Sequence, residues 1–167
     1  TVGIVDKVTG DFRWKWGPGQ VFHQHHPTYL DNGHVLIFDN GCHRKRKPSF
    51  SRVLEVDPGI NEVVWSYQAD VILAFFSFMV SGVERLPNGN TFITEGATGR
   101  MFEITPTGET VWEYVSGMTY ESNFGPSPAI FRAHRYPLND PRFAERNLDP
   151  KRYADETRAV AAGETPY

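Results

Sequence analysis

At 167 residues, with 40% apolar side chains and a net charge of −3, the chain is long enough for one globular domain that buries about 70% of its unfolded surface. The balanced charge and the lack of a long basic run argue against a nucleic-acid groove, and His43-Arg44-Lys45-Arg46-Lys47 reads as a solvated loop. The longest apolar stretch, residues 71–80, is broken by Ser77, so no membrane span is expected.

The chain begins at Thr1 with a strand-like segment and neither an initiator Met nor a signal peptide, which reads as a removed leader or a piece of something longer. Residues 3–6 and 11–16 are predicted as two strands. The next four are predicted at residues 25–30, 34–38, Arg52–Asp57 and Glu62–Tyr67, with Asn32-Gly33 turning the first pair because an Asn-Gly dipeptide adopts φ > 0 cheaply. The pattern then repeats at residues 80–86, 90–94, 100–105 and 109–114, with Asn88-Gly89 in the matching turn. Residues 129–136 (AIFRAHRY) read as the first strand of another unit.

Four-strand units recurring at roughly 40–50 residues are the mark of a β-propeller. The expected fold is therefore all-β: a propeller segment over residues 1–136 with two full four-stranded blades and two partial ones. Trp14, Trp65 and Trp112 should hold equivalent places between blades. Residues 137–167 are read as an extended arm, with Asp149-Pro150 starting a short helix that Gly163 ends. Open edges at both ends call for partners, namely missing blades from a longer precursor or a second chain.

The densest polar cluster is His23-Gln24-His25-His26, followed by His34, Cys42, His43 and Arg44. On a strand, His23 and His25 would share one face and His26 the other. Inner propeller strands line a central channel, so this is the natural place for a site. His26 and His34 read as surface or blade-packing residues, and Arg100 and Arg132 as partners for carboxylates such as Glu95 or Glu103. His23, His25 and His43 form an alternative metal-ligand set, and a non-catalytic binding or assembly module is a third reading. Cys42 is the only cysteine, so no internal disulfide forms.

The segments QVFHQHHPTYLDNGHVLIFDNGCHR, SRVLEVDPGINEVVWSY, SGVERLPNGNTFITEGATGRMFEITPTGETVWEYV and FRAHRYP resemble the arylsulfate sulfotransferase family in four motifs, in order, over residues 3–137. The resemblance implies the C-terminal half of a six-bladed propeller, periplasmic or secreted. The implied activity moves a sulfuryl group from a phenolic sulfate ester to a phenol, without a nucleotide donor or other cofactor. It implies channel histidines, one transiently sulfurylated, and an arginine. Carried over, His25 is the channel histidine and Arg44 the arginine, with His43 and Arg46 as register alternatives. Gln24, His43, Arg100 and His134 are the residues expected around the substrate. Ser81 stands where the next unit would match His25, so other family histidines would come from blades outside this sequence. A guanidinium suits paired sulfate oxygens, and an imidazole suits nucleophilic or acid–base work near neutral pH.

Overall fold

The computed structural model describes residues 1–45, 48–123, 125–149, 151 and 154. It is all-β, built from antiparallel sheets. A hairpin of β1 (Val2–Val5) and β2 (Phe12–Trp16) comes first. The first four-stranded sheet follows, ordered β3 (Gln24–Tyr29), β4 (Val35–Asp39), β5 (Arg52–Asp57) and β6 (Glu62–Tyr67). The second repeats this order as β7 (Gly82–Arg85), β8 (Thr91–Glu95), β9 (Arg100–Ile104) and β10 (Thr110–Val115). A short hairpin of β11 (Tyr120–Ser122) and β12 (Gly125–Ser127) comes after, and nothing in the residue pattern anticipated it. Two meander sheets of equal order, packed face to face, are the architecture of a propeller-type segment. Among the described residues no helix is long and apolar enough to cross a membrane.

The run Val35-Leu36-Ile37-Phe38 explains the stacking. Side chains alternate across a strand, and here both faces are covered. Val35 and Ile37 join Val2, Trp16, Val21, Leu54 and Val56 on the side of the β1–β2 hairpin. Leu36 and Phe38 join Val53, Phe75, Val83, Ile93, Phe102 and Ile104 between the two four-stranded sheets. An unbroken apolar strand is therefore the central layer of a stack. The last strand of each sheet lies at its margin, and β10 is exposed along its whole length.

The tryptophans bridge neighbouring units. Trp14 donates its indole N–H to Asn61 Oδ1 at 2.8 Å, in the turn after β5. Trp65 donates to Pro106 O at 2.9 Å, in the turn after β9. A second device repeats beside them. Arg85 on β7 bonds Glu55 on β5 at 2.8 Å and lies over the Trp65 ring. Arg135 bonds Glu103 on β9 at 2.6 Å and lies over Trp112. Asn32 and Asn88, from the two hairpin turns, add hydrogen bonds to the same carboxylates. Trp65→Phe keeps an aromatic ring but removes the donor and the fused pyrrole ring, so it should cost about 1–2 kcal/mol in urea unfolding.

Several expectations are corrected. Residues 129–136 do not form a strand, because their backbone groups bond loop and side-chain atoms of the second sheet instead of a ladder partner. Ile130 N–H reaches Gly96 O, Phe131 O accepts from Ser81 N–H, and Ala133 N–H reaches Thr94 Oγ1. The segment still delivers Arg135 to the place Arg85 takes one unit earlier. The strict alternation expected through the histidines also fails. His23 precedes β3, and the ladder slips between His25 and Thr28, where Pro27 has no N–H to donate and His26 takes a φ of 49°. In the arm, Asp140 caps a 3₁₀ turn at Pro141–Phe143. Asp149 Oδ1 accepts from Lys151 N–H, as a helix cap would, but apart from Ala154, which is helical, the rest of the expected helix, like Arg46, lies outside the described residues.

Candidate functional site

The start of β3 and the end of β4 are locked together by two backbone-directed bonds. Phe22 N–H donates to Asp39 Oδ1 at 2.8 Å, and Phe22 O accepts from Gly41 N–H at 2.7 Å. Residues just beyond this clamp on either side, His23 on one and Cys42 and His43 on the other, are therefore neighbours. Gly41 is required for it. Its φ is 73°, and a Cβ there would strike Phe50 O and the Arg44 guanidinium.

Asn40 is fully buried and ties the end of β4 to the segment before β7. Its Nδ2 donates to Ser77 O at 2.8 Å and Val80 O at 3.0 Å, both in the stretch leading to β7. Two carbonyl acceptors on one side fix the amide, so Oδ1 is the atom facing His25 Nδ1 at 2.7 Å. An oxygen there accepts only from an N–H, so His25 carries a proton on Nδ1, and in the neutral ring the lone pair is on Nε2. Gln24, next to it, donates to Thr1 O.

Arg44 is committed elsewhere. Its side chain is 5% exposed and bonds Asp39 Oδ2 at 2.6 Å and Phe50 O at 2.5 Å, with Phe50's ring against the guanidinium. Arg52 also reaches Asp39, at 2.9 Å. His25 and Arg44 are thus fastened to the adjacent residues Asn40 and Asp39. Arg100 pairs with Glu95 and Glu113. It occupies in the second sheet the place of Arg52 in the first, bonding the carboxylate that ends the second strand. Glu95 is the carboxylate expected for it, whereas Glu103 goes to Arg135.

A second group of side chains lies where β3 meets β7. His26 Nδ1 accepts from Val83 N–H at 3.1 Å, and its ring stands edge-on to His134 at 5.7 Å. Burial, then the nearby Arg132 and His134 charges, hold His26 down at about 4 against an ordinary 6.5. His26 is thus a blade-packing residue, neutral at physiological pH. His134 lies 3.7 Å from Glu84 and is partly exposed. Arg132 crosses Gly82, close to the His26 ring, and makes no ion pair among the described residues. His34 braces the outer part of the sheet through Glu55, at 2.7 Å, and Asp57.

Because the folded state resists protonating His26 and the unfolded chain does not, stability should fall as pH drops from about 6.5 towards 4. Discounted for the partial exposure of the ring, the loss is roughly 1–2 kcal/mol. Protonation would also turn the acceptor for Val83 N–H into a donor. Comparing midpoints of urea unfolding at pH 7 and 4.5, His26→Gln should show the smaller decline.

His23, Cys42 and His43 are the described residues whose ligand atoms could hold a metal ion, all within 4.8 Å of one another. The His23 ring is 5.3 Å from that of His25 and 5.2 Å from that of His43. Burial, with His25 and His43 alongside, pushes His23 below the ordinary histidine range. Burial, with Asp39 near, pushes the Cys42 thiol up. Sequence reasoning gave Asn40 and Asp39, in the FDNG segment, no role. It also passed over Cys42 as a ligand.

A stack of four-stranded meander sheets, with a histidine cluster where the first strand of the first sheet begins, is the arrangement of a propeller-type segment. The family model for arylsulfotransferase (ASST) matches residues 6–117, more than half of the chain, and the chain belongs to that family. No curated protein matches. Among solved structures, a protein of unknown function from Bacteroides caccae is similar over 61% of this chain, with 19% identity and a TM-score of 0.41. This chain spans 36% of that one.

Proposed function

We propose that the protein transfers a sulfuryl group from a phenolic sulfate ester to a phenol, with His25 as the nucleophile. The observation that carries this reading is the Asn40–His25 hydrogen bond, which in the neutral ring assigns the proton to Nδ1 and the lone pair to Nε2. Nε2 attacks the ester sulfur, the S–O(aryl) bond breaks, and the phenoxide leaves to be protonated. Positive charge on the sulfurylated imidazole is eased by the Nδ1–H bond to Asn40. The acceptor phenol then attacks sulfur, the N–S bond breaks, and the phenolic proton passes to solvent.

In this reading Arg44 is a positioning residue, since its buried fork holds Asp39 and Phe50 O. Arg132, exposed on the neighbouring segment, offers the positive charge for a sulfate, with His134, Gln24 and His43 flanking. The remaining walls come from further blades, on a longer chain or a second one, and the setting is periplasmic or secreted. The test is to incubate the protein with 4-nitrophenyl sulfate without acceptor and measure the mass of the peptide holding His25. A gain of one SO3 group, lost on adding phenol, supports the reading. Nitrophenolate release with no such adduct excludes His25 as the nucleophile.

A further inference from the structure

We propose that His23, Cys42 and His43 form a binding site for a thiophilic transition-metal ion, with zinc(II) as the ion that the donor set fits best. Two imidazoles and one thiolate make a borderline-soft set, suited to zinc and poorly suited to magnesium or calcium. The three ligand atoms already lie within 4.8 Å of one another. Zinc–nitrogen and zinc–sulfur bonds of about 2.0–2.3 Å bring tetrahedral ligands to roughly 3.5 Å apart. The remaining contraction of about an ångström falls on side chains of which two, His23 and His43, are exposed.

The convergence is built into the backbone. The Phe22 clamp on Asp39 and Gly41 fixes the two approaches, and His23 sits at a φ of 59°, a left-handed conformation uncommon for a residue with a side chain. Blade folding does not require the set. In the second sheet the corresponding positions are Met79, Thr98 and Gly99, none a comparable ligand, and that sheet has the same strand order. No other cysteine within these 167 residues can pair with Cys42. Three protein ligands leave a fourth position open for water or another small ligand, beside the His25 ring.

The inference is independent of sulfuryl transfer, and its test separates the two. Chelator-treated protein is titrated with Co(II), then with Zn(II) in competition. One equivalent of Co(II) should give an intense near-ultraviolet thiolate-to-cobalt band that Zn(II) displaces. Cys42→Ser should abolish the band and weaken zinc binding at least about tenfold, the lower bound for losing even a supporting group. His23→Ala should weaken zinc binding likewise, while His25→Ala keeps the band. Sulfuryl transfer by Cys42→Ser should match the parent protein. The proposal is overturned if Co(II) gives no thiolate band, or if Cys42→Ser binds zinc as tightly as the parent. Loss of the band in His25→Ala would overturn the ligand assignment in favour of a set that includes His25.

Discussion

His25→Ala should lower sulfuryl transfer from 4-nitrophenyl sulfate to phenol by on the order of a thousandfold or more, the scale of losing a covalent nucleophile. The fold should survive, because His25 is only partly buried and its one hydrogen bond goes to a side chain. Asn40→Ala is the informative companion. It leaves the imidazole in place but frees the tautomer, and it strips two donors from Ser77 O and Val80 O. Turnover should drop between the two extremes, with a loss of stability that His25→Ala does not share. His26→Ala should leave turnover near the parent level while loosening the contact between β3 and β7. Activity retained in His25→Ala would remove the nucleophile assignment.

Arg44→Met should destabilise the protein by about 3 kcal/mol in urea unfolding, the low end for breaking a buried ion pair. Asp39 is fully buried, and its oxygens are held by Arg44, Arg52 and the Phe22 amide. Among the described residues, removing Arg44 leaves Arg52 as its one cationic partner and takes the guanidinium donor from Phe50 O. The cost is therefore below that of stranding an unpaired carboxylate. Arg44→Lys keeps the charge but loses the planar fork that spans Asp39 and Phe50 O, so it should fall between the two proteins. Turnover should fall in both variants, because Asp39 adjoins the Asn40 that orients His25. Stability equal to the parent in Arg44→Met would show that the loop repacks without the guanidinium.

The repeat was legible because it is written in strong signals: paired Asn-Gly turns, alternating apolar residues and a tryptophan at a fixed place in each unit. Trp14 and Trp65 reach the next unit in the same way, as that spacing led one to expect. Residues 129–136 show where pattern reading stops. Their composition is that of an inner strand, but a strand needs a ladder partner, and these backbone groups bond Gly96, Ser81 and Thr94 instead. The site was legible in its histidines and not in what orients them. Asn40 looks like a turn residue until the carbonyls of Ser77 and Val80, far along the chain, are placed against it. Arg44 shows the same limit from the other side, since the chemistry of a guanidinium is plain in the sequence but its buried commitment to Asp39 is not.

The Arg–Glu–Trp device between sheets has a consequence for how such a protein is copied and cut. The carboxylate and the indole belong to one sheet, but the cation that completes them, Arg85 or Arg135, comes from the unit that follows. The heritable module is therefore out of phase with the visible sheet by one strand. A gene duplication running from one arginine to the next would insert a blade already matched to its neighbour on both sides. One cut neatly at sheet boundaries would carry a carboxylate without its cation.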